Sequence, residues 1–232
     1  MSVWRTSTWV DTEGLDLRSG DNNAFWLEAV GLCCSRGGRV LFDDFGFRLE
    51  AGRLLQIEGV NGSGKTTLLK VLNGLLEPGA GVVRWRGMPI NEDLPAYHGA
   101  LRYVGHTLGY KLGLTAIENL SFASTIAGRE DLLTDHEALA YMGLTDYADR
   151  LAKFLSAGQK RRLALARLLT GRAPLWLLDE PSVALDDSGR RIVEKMLAEH
   201  LQRGGMAVIT THQHLDVTPS RTLRLQSGAR TV

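Results

Sequence analysis

The chain has 232 residues, 44% of them hydrophobic and 23% charged, with a formal net charge of +1 at pH 7. That length suits a single α/β domain able to bury a sizeable core, and the near-neutral balance provides no global field toward nucleic acid or anionic lipid. No stretch approaches the roughly 18 apolar residues of a membrane helix, and Asp11, Glu13 and Asp16 interrupt any apolar core of a signal peptide. The expectation is a cytosolic chain without direct membrane insertion, whose membrane role, if any, comes through a partner.

Residues 1–25 are polar, with Trp4 and Trp9 as their large apolar groups, and read as a flexible extension ahead of a domain covering 26–232. Strand-like runs follow at 25–30, 40–42, 45–49 and 54–58, separated by Gly and Asp. The neighbouring Cys33 and Cys34 fit disulfide geometry poorly and lack partners at metal-ligand spacing, so they read as reduced structural thiols. A helix is predicted over 66–76, stopped by Pro78 and Gly79, and a strand over 82–86. Another strand covers 103–105. Residues 106 to about 170 read as a mostly helical subdomain. Two S/T-x-x-E/Q capping boxes open helices within it, Thr115 with Glu118 and Ser156 with Gln159. A buried strand over 175–178, a helix over 192–201 closed by Gly204 and Gly205, and a strand over 206–211 complete the pattern. Strands alternating with helices predict an α/β fold with a mostly parallel, doubly wound sheet.

The predicted strand 54–58 runs into Gly59-Val60-Asn61-Gly62-Ser63-Gly64-Lys65-Thr66, which fits G-x-x-x-x-G-K-[ST] in the strand–helix setting that motif requires. Glycines let backbone N–H groups converge on phosphate oxygens where a Cβ would block the approach. Lys65 is placed to balance the β/γ-phosphates and the Thr66 hydroxyl to coordinate Mg²⁺, so the cradle spanning Gly59 to Thr67 points to ATP with Mg²⁺. The following helix turns its positive N-terminus toward the same anion. Kinases, GTPases and motor ATPases all share such a loop, and the second half of the chain must discriminate among them.

There, the apolar run 174–178 ends in Asp179 and Glu180. Asp179, at the carboxyl end of a strand, is placed to meet the Mg²⁺ held by Thr66. Glu180, one residue on, is placed to take a proton from an attacking water. A capping box at Ser156 leaves helix N–H groups free for a second anion site.

Leu155-Ser156-Ala157-Gly158-Gln159 resembles the LSGGQ signature of ABC ATPases, with Ala157 in place of the first glycine. Ala184-Leu185-Asp186 resembles the family's D-loop, and His212 its switch histidine. The ordered resemblance covers about residues 26–225. It implies a P-loop NTPase of ABC ATPase type, with a mostly parallel sheet core, an antiparallel β subdomain and a helical subdomain. It also implies two copies of the chain head to tail, with Ser156, Gly158 and Gln159 of one closing on the ATP held by the other. Catalytic roles would then fall to Glu180, His212, Lys65 and His106. Two departures stand out. His106 occupies the position where the family usually carries the Q-loop glutamine, and an imidazole there still hydrogen-bonds a water or metal-bound oxygen. The aromatic that usually stacks on adenine should fall near 35–38, where Arg36 offers a planar guanidinium instead.

Val104-Gly105-His106, Gly109-Tyr110-Lys111-Leu112, Leu114 to Leu120, and Thr210-Thr211-His212-Gln213 are similar to the haem-exporter ATPases of bacterial cytochrome c maturation. That resemblance implies small integral membrane subunits as partners and a peripheral place on the cytoplasmic face of the inner membrane. The partner is expected to dock on the helical half between 106 and 129, with Tyr110, Leu112, Leu114 and Phe122 as candidate anchors, the alternative, weighing most for Phe122, being that they fill that half's own core. Four other readings stay open: an ABC subunit for another substrate, a soluble non-transport ABC ATPase, a small-molecule kinase, which would need an acceptor pocket and lid, and a non-hydrolysing nucleotide-gated scaffold, against which Glu180 and His212 argue.

Overall fold

The computed structural model describes residues 9–11, 26–126, 133–212 and 215–225. A short strand β1 (Trp9–Asp11) precedes two long strands, β2 (Trp26–Arg36) and β3 (Arg39–Glu50), joined by a tight turn. Then come β4 (Leu54–Glu58), α1 (Lys65–Leu72), β5 (Ala80–Trp85), β6 (Met88–Pro89), α2 (Leu94–Ala100) and β7 (Leu101–Val104). The helical half carries α3 (Ala116–Ile126), α4 (Asp135–Tyr141) and α5 (Ala157–Ala166). β8 (Leu175–Asp179), α6 (Asp187–Gln202), β9 (Met206–Thr210) and β10 (Arg221–Leu225) follow.

Six strands form one sheet in the order β1-β10-β4-β9-β8-β7, parallel throughout except where β1 runs against β10. The other four form an antiparallel sheet, β3-β2-β5-β6. Side chains alternate across a strand, so a central strand buried on both faces reads as a continuous apolar run. β8 and β9 show this. Leu175, Leu177, Met206 and Val208 pack with Phe42, Phe45 and Phe47 of β3 and Leu68, Leu69 and Leu72 of α1. Trp176, Leu178, Ala207 and Ile209 face the other way, into a core shared with Leu163 and Leu165 of α5 and Val193, Met196 and Leu197 of α6. Truncating any one of the three phenylalanines to alanine would cost about 3–5 kcal/mol.

Several expectations shift. The predicted strands 40–42 and 45–49 are one strand, β3, whose pairing with β2 slips at three places. α1 ends at Leu72, capped by Asn73 ahead of the positive φ of Gly74, several residues short of Pro78. α6 begins five residues earlier than read, because Asp186 accepts the Gly189 N–H as an N-cap at 2.9 Å. Both predicted capping boxes form, and Thr134 with Glu137 makes a third. Among the described residues between α4 and α5, only two single 3₁₀ turns, Thr145–Tyr147 and Ala152–Phe154, interrupt extended connections, so that stretch is less helical than its sequence suggests. Trp4 and most of the 1–25 extension lie outside the described residues.

Candidate active site

Because β4, β9 and β8 are parallel neighbours, their carboxyl ends share one edge, where open α/β sheets hold ligands. Three loops leave that edge together: Gly59 to Gly64 after β4, Glu180 onward after β8, and 211–212 after β9.

The first loop is shaped by backbone that only glycine tolerates. A Cβ on Gly59 (φ 155°) would lie 2.8 Å from the Leu225 carbonyl oxygen and collide with Ser63 Oγ. Gly64, at the N-cap of α1 with φ 102°, would press a Cβ to 3.0 Å from that of Leu41. The side chain of Lys65 turns back into the loop, donating to the Gly59 carbonyl at 2.7 Å, with only 7% of the residue exposed. Ser63 Oγ is buried there without a hydrogen-bond partner among the described residues. Buried polar atoms are rarely left unpaired, and an anion acceptor in the loop would complete both groups.

Asp179 closes the next layer. Its carboxylate accepts Thr66 Oγ1–H at 2.8 Å and Thr210 Oγ1–H at 2.6 Å, so β8, β9 and α1 meet on one side chain. Glu180 has φ 52°, in the left-handed region that non-glycine residues avoid. Its N–H is held 3.0 Å from both the carbonyl and the hydroxyl of Thr210. The turned backbone carries the Glu180 carboxylate toward Lys65 Nζ, 3.8 Å away, and His212 Nδ1, 2.9 Å away. Asn61, His106, Ala184 and Lys160 line the same cleft of about 590 Å³ with Glu180 and His212.

Arg161 is the residue that sequence reasoning missed. It sits in α5, 5% exposed, and its guanidinium donates to the carbonyls of Gly105, Asp179, Glu180 and Pro181. Burial lowers its pKa, while the charges of Asp179 and Glu180 act in the opposite sense. A single arginine thereby fixes the strained turn at Glu180 to α5 and to the end of β7. The available signal was a charge on the apolar face of a Leu/Ala-rich helix.

Ser156 and Gln159 satisfy one another, Ser156 N–H donating to Gln159 Oε1 at 2.8 Å and Gln159 N–H to Ser156 Oγ at 3.2 Å. Gly158 packs on the loop after Glu180, and a Cβ there would stand 2.8 Å from the Ala184 carbonyl oxygen. Asp186 accepts from Gly189 N–H, Ser188 Oγ and Arg162 Nη2, and these hydrogen bonds, the Gly189 N–H foremost, hold its carboxyl below the ordinary carboxylate range. Arg36 stands apart from this network. It lines a separate cleft of about 750 Å³ with Thr67, Lys70, Glu77 and Ser35.

The family model described as "ABC transporter" matches residues 42–183. A protein named "Cytochrome c biogenesis ATP-binding export protein CcmA" from Nitrosococcus oceani is 47% identical over 201 residues, 87% of this chain and 92% of that one. The Escherichia coli protein of the same name is 46% identical over 199 residues, 86% and 95% of the two chains. Among solved structures, a putative ABC transporter ATP-binding protein from Pyrococcus furiosus superposes with a TM-score of 0.73 at 24% identity, covering 86% of this chain and 97% of that one. The ATP-binding cassette MJ0796, a dimer bound to ADP and Pi, gives 0.73 at 23% identity, covering 87% and 95%. These two likenesses show that the fold is that of an ABC ATPase cassette.

Proposed function

The chain belongs to the ABC transporter family of ATP-binding proteins, and from that premise we propose that it hydrolyses ATP as the peripheral nucleotide-binding subunit of a haem export complex in cytochrome c biogenesis. The convergence of Lys65, Thr66, Asp179, Glu180 and His212 at one sheet edge carries the hydrolytic reading.

Lys65 and the N–H groups from Gly62 to Thr67 would hold the β/γ-phosphates, with the N-terminus of α1 behind them. Thr66 and Asp179 place two hard oxygens 2.8 Å apart, a donor set that suits Mg²⁺. When bound with the nucleotide, that ion would offset the phosphate charge and would be held by Thr66 and Asp179. Glu180 takes the proton of the attacking water, and His212, with Nδ1 2.9 Å from its carboxylate, orients it. Arg36, sharing a cleft with Thr67, covers one face of the adenine. His106, at the cleft rim, relays the state of this site to the helical half.

Ser156, Gly158 and Gln159 serve the ATP of a second copy. The box between Ser156 and Gln159 leaves the N–H groups of the helix start between them to face outward. No helix among the described residues is long and apolar enough to cross a membrane, so attachment to the cytoplasmic face of the inner membrane runs through small integral subunits. Their docking site is the groove between α3 and α5, beside the exposed side chains of Leu112 (54%), Phe122 (46%) and Ile126 (71%). Phe122, weighed from sequence between anchor and core, is exposed on the rim. Glu180→Gln tests the catalytic assignment. Turnover should fall by on the order of 10²–10⁴-fold while ATP still binds, and near-wild-type turnover would remove Glu180 from the role of base.

A further inference from the structure

The groove between α3 and α5 is lined by Tyr110, Phe122, Ile126 and Leu163, together with two cations, Lys111 and Arg167. No carboxylate is among the described residues that line it. Lys111 Nζ lies 4.0 Å above the centre of the Phe122 ring. The loop carrying Lys111 is clamped by buried Asn119, which accepts from Lys111 N–H at 2.7 Å and donates to the carbonyls of Lys111, Leu114 and Thr115. That cation is therefore presented from a fixed backbone.

Arg167 forms the groove's inner wall. It donates to the Leu108 carbonyl at 3.2 Å, and Arg102 is near enough to repel it. Arg102 in turn donates to the Leu101 carbonyl and buries its Nε without a partner among the described residues. A mostly buried guanidinium with a second like charge near it is costly unless a counter-charge reaches it. An apolar rim around two cations, Arg167 and Lys111, with no carboxylate among the described lining residues, fits a small apolar anchor with one acid beside it.

Resting on the docking site proposed above, we propose that the membrane subunit presents a carboxylate, from Asp or Glu, that pairs with Arg167 and Lys111 while an adjacent apolar side chain covers Phe122. The acid would set which membrane protein docks, and the apolar contact how firmly it holds, since a mispaired charge there costs more than a lost methylene.

The test uses inner membranes carrying the assembled complex. Zero-length carbodiimide coupling in those membranes, followed by mass spectrometry, should join Lys111 Nζ, or the amine introduced by Arg167→Lys, to an Asp or Glu of a membrane polypeptide. Arg167→Met should weaken retention on washed membranes by on the order of 30-fold or more, and Lys111→Glu, at an exposed position, should release the chain as well. ATP binding and thermal melting of each variant report whether the fold survives. Coupling to the chain's own Glu130 or Asp131, or wild-type retention of Lys111→Glu, would overturn the inference. Phe122→Asp separates it from the reading beneath. If that variant is released while Arg167→Met and Lys111→Glu are retained, the groove docks a partner but no carboxylate is involved. If Phe122→Asp is itself retained, the docking site lies elsewhere and both readings fall.

Discussion

His200, on the last turn of α6, makes the stability of this protein depend on pH in a calculable way. Its ring stacks flat on Trp176, centroids 3.7 Å apart and planes 7° from parallel, and its Nε2 lies 3.1 Å from the Met206 carbonyl. Burial holds its pKa at about 4, against an ordinary 6.5, with the charge of Arg203 acting in the same direction. A depressed value means that the unfolded chain takes the proton first. The contribution to stability is therefore complete above pH 6.5 and is lost as pH falls toward 4. At about 1.4 kcal/mol per pH unit, the whole gap amounts to about 3 kcal/mol, an upper figure because the ring is not fully enclosed. Urea unfolding of the wild type and of His200→Phe, which keeps the stack but cannot titrate, should give profiles that run parallel from pH 7 to 8. Below 6.5 the wild type should lose stability faster, by up to that amount at pH 4. Parallel profiles over the whole range would show that the imidazole titrates alike in both states, and the burial argument would fail.

Other expectations concern the nucleotide. Lys65→Ala should lower both ATP affinity and hydrolysis with little change in melting temperature, because the side chain points into the loop; unchanged affinity in equilibrium binding would dismiss the cradle. Arg36→Ala should weaken ATP binding a few-fold, the roughly 0.5–2 kcal/mol of a stacked cation, while Arg36→Tyr should not; equal affinities for all three would place the base elsewhere. Gly158→Ala must push the Ala184 carbonyl aside by several tenths of an ångström. Its ATPase rate should drop more than its nucleotide affinity, and a wild-type rate would show that this contact is slack.

The site was legible in the sequence where chemistry demands particular residues at particular spacing. Gly59 to Thr66, Asp179 and Glu180 stand out because a phosphate cradle would need bare backbone and a strand end, and the structure brings Thr66 and Asp179 into contact. The doubly wound sheet followed from the runs that became β8 and β9. Arg161 was hidden because its importance lies in four backbone carbonyls, which leave no trace in residue identity. Strand β10 was missed since Arg221-Thr222-Leu223-Arg224-Leu225 looks half exposed, and its place in the sheet comes from tertiary pairing with β4. α2 escaped notice because Leu94-Pro95 reads as a break, although proline at the start of a helix is well tolerated. Phe122 could not be placed between anchor and core, because an apolar residue on an amphipathic helix says nothing about which of two surfaces it faces.

β8 also bears on how the molecule moves. It is hydrogen-bonded along both edges, to β7 and β9, and each of its faces is sunk in a different core. Such a strand has no local opening available to it. Its amides should exchange with deuterium only when the entire domain comes apart, the slowest class of exchange a protein displays. Asp179 ends that strand and inherits its immobility, and Lys65 opens α1, whereas Glu180 and His212 sit on loops. Through a catalytic cycle the floor of the cleft thus stays stationary and its walls do the travelling.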